Sequence, residues 1–116
     1  MRSDASRVED IGKAIEAIER YAVRGRDEFL RDELVQTWML HHLEIIGEAL
    51  RSMTEQFQAR FRDSLDWSGW VGLRVILAHH YFRVDPELVW NTIDQDIPQL
   101  KESVAKIRTE WSSSHS

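Results

Sequence analysis

Three side chains that could act on a charged ligand lie in one otherwise apolar stretch, WVGLRVILAHHYF, residues 70–82. They are Arg74, His79 and Tyr81. A guanidinium binds carboxylate or phosphate through paired hydrogen bonds, and an imidazole exchanges protons near neutral pH. We expect this stretch to form a helix with protein on most sides, so the charge of Arg74 needs a partner. That partner is either an internal carboxylate or the phosphate of a ligand.

The spacing along the helix limits how these side chains can meet. At about 100° per residue, Tyr81 lies only about 20° around the helix from Arg74, so both project to one side. His79 is rotated by about 140° from Arg74 and raised by roughly 7.5 Å along the axis. If Arg74 and His79 contact one phosphate, the helix end must loosen near His79 or a second subunit must complete the site.

Carboxylates and histidines on a second predicted helix offer two other sites. Glu44 and Glu48 lie one turn apart and are candidates for an internal ion pair with Arg74. A glutamate in that pair could also orient the arginine, so the ion pair and a ligand site can coexist. His41 and His42, close to Glu44, raise the question of a metal site. Adjacent histidines on a helix point about 100° apart and the usual pair four residues apart is missing, so we expect neither a metal site nor a cofactor.

Helices are predicted to position these residues, because strand-like alternation is missing throughout the chain. A first helix is predicted over residues 6–22, with a capping box formed by Ser6 and Glu9, and Gly25 ends it. A second and longer helix is predicted over residues 32–53, with its apolar residues at helical spacing along one side.

The second half of the chain is predicted to contain three further helices. A short helix covers residues 54–61, and the apolar stretch, capped by Ser64 or Asp66, forms the next one. The last helix begins at the Asp-Pro pair of residues 85–86, and Pro98 should kink it because proline lacks a backbone donor. These elements predict an all-α fold, an up-and-down bundle of four main helices plus a short helix.

The length and composition indicate one small domain. We predict a helical domain over residues 1–111 and a disordered tail over residues 112–116. With 116 residues and no cysteine, the chain has neither disulfides nor thiolate metal sites. The second and fourth predicted helices are more apolar than a monomer of this size requires, which indicates a homodimer.

The net charge of −5 argues against broad, sequence-blind binding to nucleic acid. Arginines cluster in RYAVRGR, residues 20–26, so a locally positive surface can still exist on an acidic body. No run of residues is apolar enough over a sufficient length to span a bilayer, and the polar N-terminus is unlike a signal peptide. We therefore expect a soluble, cytoplasmic protein.

The residues around Arg74 carry a resemblance to a known family. Arg74, His79 and Tyr81 match the Arg-x-x-x-x-His-x-Tyr motif of the HepT-like branch of the HEPN ribonucleases, the toxin halves of a bacterial and archaeal toxin-antitoxin system. The Trp67-containing turn also looks like that family. So do four longer segments, which extend the resemblance over nearly the whole chain: DELVQ (32–36), HLEIIGEAL (42–50), AHHYF (78–82) and VDPELVWNTIDQDIPQLK (84–101).

The resemblance implies a HEPN-like helical bundle that dimerises so that two motif helices face a shared cleft, and it implies metal-independent cleavage of RNA. In that chemistry His79 would move protons at the 2′-hydroxyl or the leaving oxygen, while Arg74 neutralises charge on the phosphate. The family's usual partner is a nucleotidyltransferase antitoxin, which in some members adenylylates the motif tyrosine, here Tyr81. The added nucleotide would occupy Arg74 and silence the site.

Val75 departs from the family pattern, which commonly has asparagine or aspartate directly after the motif arginine. Valine can neither orient a side chain by hydrogen bonding nor transfer a proton. Two hypotheses therefore stand. The intact motif favours a ribonuclease toxin, whereas Val75 favours a catalytically silent helical module of the same fold that binds a nucleotidyltransferase partner or a nucleotide through the same cleft.

Overall fold

The computed structural model describes residues 2–79 and 85–115, except for the side chains of residues 78, 79 and 113–115. Within these residues the chain is helical and has no strand. The α-helices are α1 (Asp4–Ala22), α2 (Arg26–Arg31), α3 (Glu33–Arg51), α4 (Glu55–Arg60), α5 (Trp67–His79), α6 (Pro86–Asn91) and α7 (Ile97–His115), and a π-helical turn (Thr92–Asp96) joins α6 to α7.

The long helices pack in a simple order. α1 packs against α3 and α7, and α5 packs against α3. The core between them is aliphatic and aromatic, with Ile18, Met39, Leu43 and Ile46 almost wholly excluded from solvent. The predicted all-α bundle of four main helices is confirmed. No helix in the described part of the chain combines the length and the apolar character that a membrane crossing needs.

Helix α2 was not predicted. Its six residues, RDEFLR, lie between the first two predicted helices, and so short a helix gives no readable periodicity. The structure shows why it forms. Phe29 is buried in the core against Trp90, with 5.6 Å between ring centroids, and Gly25 precedes the helix with φ of 89°, a conformation that glycine adopts freely.

The helix starts follow their capping residues. The predicted capping box at Ser6 and Glu9 is wrong, because the helix begins earlier and the hydroxyl of Ser3 accepts from the Ser6 amide at 3.1 Å. The predicted caps at Asp66 and Asp85 are present, and Asp32 and Thr54 are further caps that were not predicted. Each of these side chains accepts a hydrogen bond from the first turn of the helix that follows it: Asp32, Thr54, Asp66 and Asp85.

The predicted irregularity at Pro98 takes the form of a widened turn. The π-helical segment Thr92–Asp96 ends two residues before Pro98. Proline cannot donate to the carbonyl four residues back, and a π turn is one way in which a helix absorbs such a mismatch. Helix α7 then continues to His115. The domain limits 1–111 and the disordered tail 112–116 stay predictions.

Helix α5 is much more open than expected. Among its described side chains only Trp70 and Leu77 are buried, whereas Val75 is 44% exposed and Ile76 is 45% exposed. The expectation that this apolar helix has protein on most sides is therefore wrong for the single chain. The helix has α3 on one side and open apolar surface on the other.

Candidate functional site

Arg74 lies where α5 crosses α3. Its Nε atom is 2.6 Å from Oε2 of Glu48, and its side chain is 30% exposed. The predicted ion pair with Glu48 is therefore present. Glu44 lines the same cleft, but no ion pair joins it to Arg74. Arg74 is more exposed than expected for a helix with protein on most sides.

Glu48 is itself held in place by its own helix. Its Oε1 accepts from Nη2 of Arg51 at 2.8 Å and from the hydroxyl of Ser52 at 3.2 Å. The hydrogen bond from Arg51 lowers the pKa of Glu48, and the positive charge of Arg74 lowers it further. The same contact raises the pKa of Arg51. Glu48 is thus a carboxylate anion with three partners, namely Arg51, Ser52 and Arg74.

Arg74 has more donors than the Nε atom that lies closest to Glu48. A guanidinium carries five N–H donors in a planar fork, and Glu48 is the ion-pair partner of Arg74 among the described residues. The side chain of Arg74 lines a cleft of about 570 Å³, together with residues of α1 and α3. A tetrahedral oxyanion in this cleft can accept two hydrogen bonds from the fork.

A glycine makes this arrangement possible. Gly47 lies beside Arg74, and a Cβ atom added to Gly47 would be 2.5 Å from Cβ of Arg74 and 3.3 Å from the carbonyl oxygen of Trp70. Only a residue without a side chain lets α3 and α5 approach this closely. The sequence analysis missed Gly47, and a glycine inside a strongly helical pattern was the signal that could have identified it.

The cleft carries both signs of charge. Its three arginines are Arg2, Arg7 and Arg74, and its three carboxylates are Asp10, Glu44 and Glu48. Arg2 pairs with Asp10 at 2.7 Å, so Glu44 is the cleft carboxylate without an ion pair in the described chain. The three positive and three negative side chains of the cleft balance formally, and Arg74 is the cation that α5 contributes.

His41 also lines this cleft and is exposed. The sequence analysis considered it only as a metal ligand. His41 and Glu48 are seven positions apart on α3, which places them about 20° apart around the helix, and that spacing was the signal. Within the described part of the chain, no group of three or more histidine or acidic side chains is arranged to hold a metal ion.

The other motif residues fall at the edge of what the structure describes. The backbone of His79 forms the last residue of α5, but its side chain lies outside the described residues. His80 and Tyr81 lie outside them altogether. Val75, the residue that follows Arg74, does not line the cleft and projects toward the open surface of α5.

Comparison with known proteins gives a consistent result. The family model for "Ribonuclease HepT-like" matches residues 11–107. A protein of Thermococcus cleftensis named "Probable ribonuclease HepT" is 37% identical over 108 residues, which cover 92% of this chain and 97% of that protein. A "Putative RNase" of Caldanaerobacter subterraneus is 32% identical over 90 residues, 78% of this chain and 80% of its own length.

A longer relative contains a similar segment. The "Gamma-glutamylcyclotransferase and putative RNase" of Methanocaldococcus jannaschii is 34% identical over 99 residues, 84% of this chain. The chain spans only 44% of that protein. No solved structure matches the chain.

Proposed function

Because the chain belongs to the HepT-like ribonuclease family, we propose that it cleaves RNA without a metal ion and acts as the toxin of a cytoplasmic toxin-antitoxin pair. One observation carries the proposal. Arg74 is paired with Glu48, with Nε 2.6 Å from Oε2, and its partly exposed side chain lines an open cleft. An arginine that served only an internal ion pair would have no need of this opening.

The proposed chemistry uses the neighbouring ribose as the nucleophile. The 2′-oxygen attacks phosphorus, the bond from phosphorus to the 5′-oxygen breaks, and a 2′,3′-cyclic phosphate forms with a free 5′-hydroxyl. His79 accepts the 2′ proton or supplies a proton to the leaving 5′-oxygen. Arg74 stabilises the charge that gathers on the nonbridging oxygens in the transition state, and Glu48 keeps the fork oriented without reorganisation.

A second copy of the chain is proposed to cover α5. Val75 and Ile76 on α5 and Leu88 on α6 are each between 44% and 49% exposed. Ile76 and Leu88 line a groove of about 620 Å³ between α5 and the α6 to α7 segment, together with Trp70 and Leu100. Apolar surface of this kind is typical of an interface between subunits. Such a dimer would bring two motif helices together around the bound RNA.

The proposed control point is Tyr81. A nucleotidyltransferase antitoxin would transfer a nucleotide to its hydroxyl, with pyrophosphate leaving, and the new phosphate would compete for the fork of Arg74. Co-expression of the chain with such an enzyme, followed by intact-mass measurement, tests this step. We expect the mass to rise by one adenylyl group and the Tyr81→Phe variant to stay unmodified. An unchanged mass at Tyr81 would remove this part of the mechanism.

The alternative function is a catalytically silent module that binds a nucleotidyltransferase or a nucleotide through the same cleft. The observation that favours it is Val75, because this side chain supplies neither a hydrogen bond nor a proton.

Growth of a bacterial host that expresses the chain alone distinguishes the two functions. We expect growth arrest with the wild-type chain and normal growth with Arg74→Ala and His79→Ala, each checked for folding by circular dichroism. Arg62→Ala is the matched control, because Arg62 is an exposed arginine that does not line the cleft and its removal should leave the arrest intact. Equal, harmless growth of all four chains would reject the toxin and support the silent module.

A further inference from the structure

Most of the basic side chains whose contacts are described have a carboxylate partner. Nine of them lie within 4.0 Å of an aspartate or glutamate: Arg2, Arg7, Arg26, Arg31, Arg51, Arg74, Lys101, Lys106 and Arg108. Four others have no such partner among the described residues: Lys13, Arg20, Arg24 and Arg62. Three of these four come from α1 and the turn after it.

These three residues form what we call the α1 cation stripe, Lys13, Arg20 and Arg24. Lys13 and Arg20 are seven positions apart on α1 and therefore share one face of the helix. Arg24 follows in the next turn, with its guanidinium carbon 4.6 Å from the ring centroid of Tyr21. Glu16 lies between Lys13 and Arg20 but pairs with neither. The stripe is a local excess of positive charge on a protein whose net charge is −5.

An ordered group of rings lies beside the stripe. The indole Nε1 of Trp38 donates to the carbonyl oxygen of Ala17 at 2.8 Å, which fixes the ring of Trp38 against α1. The guanidinium of Arg20 is 6.0 Å from that ring's centroid, and Tyr21 meets the ring edge at 5.3 Å. His42 lies 4.4 Å from it on the next turn of α3. Partly exposed rings between cations suit stacking with nucleobases.

His42 offers a free acceptor at the same place. A carbonyl oxygen can only accept, so Nδ1 of His42 must be the donor in its 2.7 Å contact with the carbonyl of Trp38. Burial lowers the pKa of His42, and the charges of His41 and Arg20 lower it further. The ring is therefore neutral near pH 7, with Nε2 left as an acceptor. A nucleobase amino group or a ribose hydroxyl can donate to it.

The stripe continues into the cleft of Arg74. A shallow groove of about 360 Å³ is lined by Lys13, Ala14 and His42. Two residues line both this groove and the cleft, namely Asp10 and Ile45. Trp38 precedes Glu48 by ten positions on α3, which is about 15 Å along the helix. A strand held at one end by Arg74 can therefore reach the stripe over a short run of nucleotides.

We propose that the α1 cation stripe and Trp38 form a binding site for single-stranded RNA next to the phosphate that Arg74 holds. Lys13, Arg20 and Arg24 contact successive phosphates, and Trp38 stacks on a base. The inference rests on the proposed function in taking RNA as the ligand. An acidic protein segment would use the cations but would leave the stacked rings and the acceptor of His42 without a role.

The test measures binding of a fluorescent single-stranded RNA of about 16 nucleotides with 2′-O-methyl riboses, which cannot be cleaved through the 2′-oxygen. The variant is Lys13→Gln with Arg20→Gln and Arg24→Gln, three surface changes to a good helix former. Each phosphate contact on a single strand contributes about 0.7 to the slope of log affinity against log salt, so we expect the slope to fall by about 2. Arg62→Gln is the matched control and should keep the wild-type slope.

A separate variant tests the stacking part. Trp38→Phe keeps an aromatic ring in the same place but reduces its π-face and removes the hydrogen bond to Ala17, and we expect affinity to weaken by about fivefold or more. The proposal would be overturned if the triple variant kept the wild-type slope of log affinity against log salt. It would also be overturned if Arg62→Gln reduced that slope as much as the triple variant does. The proposal would also be overturned if the triple variant bound RNA with the wild-type affinity and salt dependence but no longer bound a protein partner.

The failure of this site and the failure of the proposed function give different results. If the wild-type chain binds the modified RNA with the expected slope but does not cleave unmodified RNA, the proposed cleavage is wrong and the binding site stands. If the wild-type chain cleaves RNA and the triple variant has the same affinity and slope as the wild type, the binding site is wrong and the cleavage stands.

Discussion

Replacing Gly47 with alanine tests whether the close approach of α3 and α5 sets the position of Arg74. The new Cβ would lie 2.5 Å from Cβ of Arg74, and the shortest ordinary contact is 3.4 Å. The two helices must therefore separate locally by about 0.9 Å, the difference between those distances. The atoms that collide belong to backbone and Cβ positions, so no rotamer change relieves the contact.

This separation has a small effect on stability and a larger one on cleavage. Overpacking costs about 1–3 kcal/mol, and alanine recovers about 1 kcal/mol of helix propensity over glycine, so Gly47→Ala should lose about 0–2 kcal/mol. A misplacement of about 1 Å at a reacting group can lower a rate by about 100-fold. We expect cleavage by Gly47→Ala to fall about 10- to 100-fold while the chain remains folded.

The assay is single-turnover cleavage of RNA alongside urea denaturation. Gly12→Ala is the matched control, because the new Cβ at Gly12 would meet only the far end of the flexible Arg108 side chain at 2.8 Å. Its cleavage rate should match the wild type and its stability should not fall. A Gly47→Ala chain that cleaves at the wild-type rate would refute the argument that helix spacing positions Arg74.

Three further perturbations have defined outcomes. Glu48→Ala should lower kcat about tenfold with a smaller change in KM, because Arg74 loses its ion-pair partner. Glu48→Gln should recover part of the loss through its amide oxygen. Equal kcat in the wild type and both variants would contradict this expectation. The pKa of His42 is below 6.5 in the folded chain, so the unfolded chain binds the proton more readily. Stability in urea should therefore fall as pH drops below about 6.5, and His42→Gln should fall less. Ile76→Arg should convert a dimer to a monomer in sedimentation, whereas the equally drastic Leu34→Arg, at a residue that is 82% exposed, should not.

The sequence predicted the elements whose signals are local. Asp66 and the Asp-Pro pair at residues 85–86 cap helices where expected, since a capping side chain acts within the first turn of its helix. The start of α1 was misplaced by one helical turn, because Ser3 and Ser6 are both plausible caps and the sequence does not rank them.

The site was predicted less completely, because it depends on contacts between elements. The pairing of Glu48 with Arg74 was one of two candidates that spacing on α3 allowed, and packing selected it. The role of Gly47 required knowing that α5 crosses α3 at that residue. The cations beside Trp38 could be singled out only once the structure showed that most other described basic side chains have a carboxylate partner.

The most direct test of the central claim is single-turnover cleavage of unmodified RNA by the purified chain and by Arg74→Ala, in the presence of a metal chelator. We expect the wild-type chain to cleave RNA and leave 2′,3′-cyclic phosphate ends. The rate in Arg74→Ala should be lower by about 100- to 1,000-fold, the usual loss when one preorganised donor to a transition-state oxyanion is removed. Equal rates in the two chains, or no cleavage by the wild type, would contradict the claim that the guanidinium of Arg74 binds the scissile phosphate.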